Sequence, residues 1–173
     1  LAYIKEAGSG ITPRAALSWE STDSGKKAIF KLDPNCKFHD GTPVTAYDWE
    51  FTGQLITHPD FAFGLRSELS VFAGTDDAGV QASADALGIK ALDVTCKEVL
   101  PVEDWILLKS RYFYVLPKHL LGDLEPGQVM SVDFWKAPIG SGPCTFISEL
   151  AGSQLELGPH KEYQLGSPQW SKF

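Results

Sequence analysis

Basic clusters and long apolar runs are both missing from this sequence. The 173 residues carry 15 Lys and Arg against 22 Asp and Glu, which gives a formal net charge of −7. Phosphate binding needs a basic face, and no run of Lys or Arg supplies one, so nucleic acid is excluded as a partner. No stretch approaches the ~20 apolar residues of a membrane-spanning helix, and no such helix is predicted.

An initiator methionine and a signal peptide are also missing, because the chain begins at Leu1. We therefore expect a processed protein or an excised piece of a longer one. A length of 173 residues leaves room for one domain, or for one domain and part of a second. The 43% of apolar and 21% of charged residues are typical of an ordinary globular protein that folds without disulfides.

Cysteines and histidines are too few and too scattered to indicate a metal or redox centre. The cysteines form an odd set without C-x-x-C spacing, so we predict three reduced thiols, at Cys36, Cys96 and Cys144. The four histidines lie in separate turns and helix starts, without H-E-x-x-H spacing. We expect His39 and His119 to bond backbone groups, and we predict no metal ion and no cofactor.

Residues 38–48, Phe-His-Asp-Gly-Thr-Pro-Val-Thr-Ala-Tyr-Asp, combine a tight turn with the start of a helix. Asp40-Gly41 is a turn signal, since glycine tolerates positive φ and Asp bonds its own backbone two residues on. Thr45 and Asp48 fit a capping box, in which the Thr hydroxyl and the Asp carboxylate each bond the other residue's amide. The pattern predicts a helix from Thr45 to about residue 57, where His-Pro stops it.

Within this helix, two groups of apolar residues predict burial on two faces. Tyr47, Phe51 and Leu55 recur at i, i+4 and i+8 and predict one apolar stripe. Trp49 and Ile56 lie on the other side and predict a second covered face.

Alternating apolar residues predict short antiparallel strands around the helix. Three hairpins are expected, from residues 16–22 with 27–33, from 89–92 with 94–97 around a turn at Asp93, and from 144–150 with 153–157. Ala28, Phe30 and Leu32 should share one face of the first hairpin. Residues 74–88 read as a surface loop or a short helix. The predicted fold class is α+β, with helices packed on one side of short antiparallel strands.

Three segments resemble one family of bacterial proteins. The 38–48 stretch, the Leu-Pro-Lys-His-Leu-Leu run at 116–121 and the Ala-Pro-Ile-Gly-Ser-Gly-Pro run at 137–143 are similar in order to motifs of the family 5 extracellular solute-binding proteins. These proteins deliver oligopeptides, dipeptides or nickel chelates to ABC importers. The resemblance implies a structural role for nine residues of these motifs: His39, Asp40, Gly41, Thr45, Asp48, Pro117, His119, Gly140 and Gly142.

The resemblance implies a fragment of a type II-like periplasmic binding protein. Residues 1–15 would be a lead-in from the large lobe, 16–139 an inserted small α+β domain, and 140–173 a hairpin returning to the large lobe. The expected function is extracytoplasmic binding of peptides or similar small solutes without catalysis. The expected partners are the solute, the remaining lobes and ABC permease subunits, with lipid anchoring of the parent protein.

Four residues are candidates for the ligand cleft by the same resemblance: Phe61, Phe63, Arg66 and Trp105. Aromatic rings and a guanidinium suit a peptide backbone and a carboxylate, by stacking and by a bidentate ion pair. The alternative is that they fill the core of the domain or its face against the large lobe.

Two other functional classes stay open. The chain could be a free-standing interaction or scaffolding domain with the same fold. A serine hydrolase would use Ser141, but Gly140-Ser141-Gly142 is not the G-x-S-x-G elbow, and Pro143 leads into a strand and not a helix. The glycines are better explained as a tight crossover.

Overall fold

A computed structural model describes residues 2–4, 11–22, 24, 27–62, 64, 80–84, 90–95 and 114–170. These residues form short antiparallel strands with helical segments, so the predicted α+β class is confirmed. The elements below are built from this part of the chain.

A four-stranded antiparallel sheet lies at the centre, in the order β3-β4-β6-β5. Its strands are β3 (Ala16–Thr22), β4 (Lys27–Leu32), β5 (Val80–Ala84) and β6 (Lys90–Thr95). The β3–β4 hairpin confirms the first predicted pair. Ala28, Phe30 and Leu32 are all buried on one face, because successive side chains of a strand alternate between the two faces.

The second predicted hairpin is wrong, because its two strands are one continuous strand. Asp93 does not form a turn but lies inside the continuous strand β6, opposite Ile29 of β4 and Gln81 of β5. Strand β5 falls within residues 74–88, which were expected to be a loop or a short helix. β6 is paired on both sides, and this pairing outweighs the low strand preference of Asp.

The N-terminal segment contains a separate small sheet. Strands β1 (Ala2–Ile4) and β2 (Ile11–Pro13) pair antiparallel, with Tyr3 opposite Thr12. The predicted lead-in therefore includes a strand pair. Gly8, Ser9 and Gly10, between these strands in the sequence, lie outside the described residues.

Helix α1 (Ala46–Thr57) begins and ends where the sequence predicts. It ends at His58, which is extended because the following Pro59 disfavours a helical conformation there. Its buried face is centred on Trp49 and Ile56, and the helix packs on β5 and β6. The expected Tyr47 stripe is wrong at its first position, since Tyr47 is 60% exposed and carries the ammonium of Lys118 over its ring, 5.6 Å from the centroid.

The C-terminal third continues with a short helix α2 (Lys118–Leu121), two 3-10 helices (Pro126–Ser131 and Asp133–Lys136) and a hairpin. The hairpin pairs β7 (Cys144–Leu150) with β8 (Gln154–Pro159) and confirms the third predicted pair. Gly152 in its turn has φ of +72°, a conformation that glycine adopts without strain.

One apolar core connects these elements. Phe30 of the sheet, Phe38 of the turn, Leu121 of α2 and Val129 of the first 3-10 helix are its largest fully buried side chains. Cys36 and Phe61 belong to the same cluster. The 38–48 turn and helix α1 are therefore fixed from both the sheet and the C-terminal third.

Candidate functional site

The turn predicted at residues 38–45 is formed and closed by its own hydrogen bonds. The amide of Phe38 donates to the carbonyl of Thr42 at 2.8 Å, and the amide of Thr42 donates to Oδ1 of Asp40 at 2.9 Å. Gly41 has φ of +88°, which explains glycine at this position. The turn thereby presents the side chain of His39 towards the segment that precedes β7.

His39 is bonded on both ring nitrogens to the glycine crossover. The amide of Gly140 donates to Nδ1 at 3.1 Å, and Nε2 faces the carbonyl of Gly142 at 3.1 Å. An amide can only donate and a carbonyl can only accept, so these partners assign the ring proton to Nε2. The backbone amide of His39 also donates to the carbonyl of Gly140 at 2.8 Å. The expectation that His39 bonds backbone groups is confirmed.

Gly140 lies so close to the His39 ring that an added side chain would make a tight contact and require the ring to shift by a few tenths of an ångström. A Cβ at Gly140 would lie 3.3 Å from Cε1 of His39, whereas a Cβ at Gly142 would meet nothing within 4 Å. The close approach that the glycine pair predicted is therefore seen at Gly140 and not at Gly142.

His160 also belongs to this site, beside His39, Gly140 and Gly142. Its role was not predicted from the sequence. Its Nδ1 lies 3.0 Å from the carbonyl oxygen of Gly142, which therefore accepts from both His39 and His160. The two imidazole centroids are 5.0 Å apart in an edge-to-face arrangement, and His160 is buried. The two histidines are 121 positions apart in the sequence, so local spacing did not reveal the contact.

His119 lies on the opposite side of the same turn. Its Nε2 is 2.7 Å from Oδ2 of Asp40, and its ring is 5.4 Å from that of Phe38. The backbone partner expected for His119 is thus wrong, and a carboxylate takes its place.

The titration of this site is set by burial and by hydrogen bonds. Burial is the largest effect on His39 and lowers its pKa; the hydrogen bond to the Gly142 carbonyl raises the pKa by less, the neighbouring His160 lowers it, and Asp40 has the smallest, raising effect. Burial raises the pKa of Asp40, but the hydrogen bonds from His119 and Thr42 outweigh it and leave the pKa below its usual value. The arrangement therefore favours a neutral His39 beside an ionised Asp40.

The capping box predicted at the start of α1 is also present. The amide and the hydroxyl of Thr45 both donate to Oδ2 of Asp48, each at 2.8 Å. Oδ1 of the same carboxylate accepts the amide of Lys118 at 3.0 Å, just after Pro117 at the N-cap of α2. Asp48 is buried and therefore joins two helix starts as well as capping one.

An apolar groove of about 480 Å³ opens beside the crossover. Phe134, Ile139, Phe146 and Leu157 line it with other apolar side chains, and His39 and Glu149 are also at its wall. Such a groove suits apolar groups of a partner or of further chain.

Of the four predicted cleft residues, the structure describes Phe61. It is 4% exposed and belongs to the core cluster, the position that the packing alternative predicts. Phe63, Arg66 and Trp105 lie outside the described residues. Ligand contact at these four positions stays a prediction.

Within the described residues, no three His, Cys, Asp or Glu side chains are placed to share a metal ion. No helix in this part of the chain has the length and apolar character to cross a bilayer. Cys36 and Cys144 are free thiols.

Solved structures identify the class to which this fold belongs. The oligopeptide-binding protein AppA of Bacillus subtilis, in complex with a nonapeptide, matches with a TM-score of 0.78 at 25% identity, over 94% of this chain and 30% of AppA. The Campylobacter jejuni protein NikZ, in complex with Ni(L-His), has the same fold, with a TM-score of 0.77 at 21% identity, over 99% of this chain and 31% of NikZ. The fold is that of type II periplasmic binding proteins.

The chain belongs to the bacterial extracellular solute-binding proteins, family 5, whose middle-region family model matches residues 10–173. The periplasmic oligopeptide-binding protein OppA of Salmonella typhimurium is 38% identical over 117 residues, which cover 62% of this chain and 19% of OppA. The periplasmic murein peptide-binding protein MppA of Escherichia coli is 27% identical over 165 residues, covering 88% and 29%. The chain thus spans less than a third of the curated relatives it matches.

Proposed function

We propose that this chain is part of an extracytoplasmic receptor that binds peptides or similar small solutes for an ABC permease, without catalysis. The observation that carries the proposal is the family match over residues 10–173 together with the shared fold of peptide-binding receptors. The three resemblance segments also meet in space, since the 38–48 turn bonds both the crossover at 140–142 and the start of α2.

The proposed organisation assigns residues 1–15 to a lead-in, 16–139 to an inserted small domain, and 140–173 to a hairpin returning to a large lobe. Apolar side chains on both faces of the hairpin support the last assignment: Ile147, Leu150 and, on the groove side, Leu155 are 46%, 65% and 54% exposed. Exposed apolar surface of this kind is typical of regions that another element covers. The remaining large lobe is the occupant we propose for these side chains and for the adjoining groove.

A chain that supplies part of a two-lobe cleft should bind a solute weakly on its own. Association costs several kcal/mol in lost translational and rotational freedom, which a partial set of contacts does not offset. In the complete receptor, closure of the lobes would add the remaining contacts between the protein and the solute. Arg66 and the aromatic residues Phe63 and Trp105 are the proposed cleft residues of this chain, and a lipid anchor is proposed for the parent protein.

Calorimetric titration with peptides of two to nine residues tests the proposal. We expect no saturable heat from the 173-residue chain. The longer product, the full-length parent protein, should bind the peptides saturably. In that longer product, Arg66→Ala should weaken binding, whereas the control Lys136→Ala should not, because Lys136 is exposed and paired with Asp133. Tight binding by the 173-residue chain alone contradicts the partial site, and a longer product that binds no solute favours the scaffolding class.

A further inference from the structure

His39, Gly140, Gly142 and His160 form a group that we call the histidine latch. It joins the turn before α1 to the base of the β7–β8 hairpin. The latch uses three side-chain hydrogen bonds, two on His39 and one on His160, at 3.0 to 3.1 Å. Two backbone bonds of 2.8 Å flank it, from the amide of His39 to Gly140 and from the amide of His160 to Pro143.

The direction of these bonds requires a neutral His39. Nδ1 accepts the amide hydrogen of Gly140, and it can do so only while it carries no proton of its own. A proton added at Nδ1 would place two donors 3.1 Å apart and break this bond. The added charge would also lie beside His160, whose ring centroid is 5.0 Å away.

Among the residues that the structure describes, none supplies a counter-charge dedicated to His39. Asp40, the nearest carboxylate in sequence, is already bonded to His119 and to the amide of Thr42. Glu162, on the wall of a cavity of about 230 Å³ shared with His39 and His160, is paired with Lys37. The other titratable groups that line the two cavities touching His39, or lie beside its neighbours, are Lys161, Cys144, Glu149, Tyr114 and Tyr163.

We propose that the histidine latch is a pH-responsive fastening, which holds the β7–β8 hairpin to the 38–45 turn near neutral pH and releases it in mildly acidic solution. Release separates Gly140 from the His39 ring. Because His39 lies on the wall of the apolar groove, this separation opens the groove on the His39 side. The latch depends on hydrogen-bond geometry within this chain and does not require the chain to serve a receptor. Under the proposed function it would meet the pH outside the cytoplasm.

The sign of the effect follows from proton linkage. Burial lowers the pKa of His39 in the closed latch, so the open form binds a proton more readily. Closure is therefore complete above the ordinary histidine pKa of about 6.5 and weakens as the pH falls below it. Because opening takes up at most one proton, the opening constant rises by at most about tenfold between pH 7.5 and 5.5.

NMR on the 173-residue chain tests the latch at the level of single groups. Imidazole spectra should show the Nε2–H tautomer for His39 at pH 7.5. Exchange of the Gly140 amide, corrected for intrinsic pH dependence, should then accelerate by up to about tenfold between pH 7.5 and 5.5 and follow the titration of His39. An Nδ1–H tautomer, or Gly140 protection that does not change with pH, overturns the proposal even if no variant can be made.

His39→Gln is the matched variant, because its side-chain amide also offers one acceptor and one donor but does not titrate in this range. We expect the corrected exchange of the Gly140 amide in His39→Gln to be independent of pH. The control His58→Gln changes a half-buried histidine at the end of α1 and should keep the wild-type response. A wild-type response that persists in His39→Gln assigns the pH dependence to another group and contradicts the latch.

Discussion

The carboxylate of Asp48 lies 3.0 Å from the amide of Lys118, a residue 70 positions later in the chain. The same carboxylate accepts the amide and hydroxyl of Thr45. A residue that the sequence marks as the third position of a capping box thus also fixes the short helix α2. Four residues are too few for a stable isolated helix, so α2 depends on such tertiary contacts.

Asp48→Ala should therefore destabilise the protein far more than the loss of one helix cap. The substitution removes the acceptor of two backbone amides in a buried environment, and each unsatisfied group costs about 1–3 kcal/mol. We expect the free energy of unfolding in urea to fall by about 3 kcal/mol. The control Asp133→Ala breaks an exposed ion pair with Lys136 and should change it by less than about 0.5 kcal/mol. Equal effects of the two substitutions would show that Asp48 has no such role.

Thr45→Ala tests the capping hydroxyl separately. The alanine variant keeps the backbone amide that donates to Asp48 but loses the hydroxyl bond of 2.8 Å. The expected cost is about 1 kcal/mol, measured as the shift of the urea midpoint. Thr45→Ser retains the hydroxyl and should have a urea midpoint close to that of the wild type. An unchanged midpoint in Thr45→Ala would show that the hydroxyl does not stabilise the helix start.

Local signals in the sequence were sufficient where neighbouring residues determine the structure. The alternation of Ala28, Phe30 and Leu32 predicts a strand with one buried face, and all three are buried. Thr45 and Asp48 predict the helix start because a capping box is complete within four residues. Such elements need no knowledge of the rest of the fold.

Long-range pairing explains what the sequence did not reveal. Asp93 was predicted to be a turn between two short strands, yet it lies within β6, which is flanked on both sides by other strands and so tolerates a residue of low strand preference. His160 carries no local motif, and its contact with Gly142 exists only once β7 and β8 are paired. The same holds for His119, whose partner Asp40 is 79 positions away.

Gly41 and Gly142 offer a paired test of backbone conformation. Gly41 has φ of +88°, whereas φ at Gly142 is outside the left-handed range, and a Cβ at either position would meet nothing within 4 Å. Gly41→Ala should thus cost about 1 kcal/mol of unfolding free energy through backbone strain alone. Gly142→Ala should leave it within about 0.5 kcal/mol. Thermal or urea unfolding of the two variants measures the difference, and a Gly142→Ala variant as unstable as Gly41→Ala would contradict it.

The two described cysteines should differ sharply in reactivity. Burial, with a smaller contribution from Asp33, raises the pKa of the Cys36 thiol to about 11. At pH 8 only about one Cys36 thiol in a thousand is then ionised, and the thiolate is the reactive form. Cys144 lies half-buried on the wall of the apolar groove. Iodoacetamide should therefore label Cys144 well before Cys36 in the native protein, as followed by peptide mass spectrometry.

Unfolding in urea provides the control for this experiment, since it exposes both thiols and should equalise their labelling. Under the same conditions we expect Cys96 to be labelled as well, which would give three modified cysteines per chain without added reductant. A pair of thiols that stays unlabelled after unfolding would reveal a disulfide. Equal native labelling of Cys36 and Cys144 would instead show that Cys36 reaches solvent through opening of the core formed by Phe30, Phe38 and Leu121.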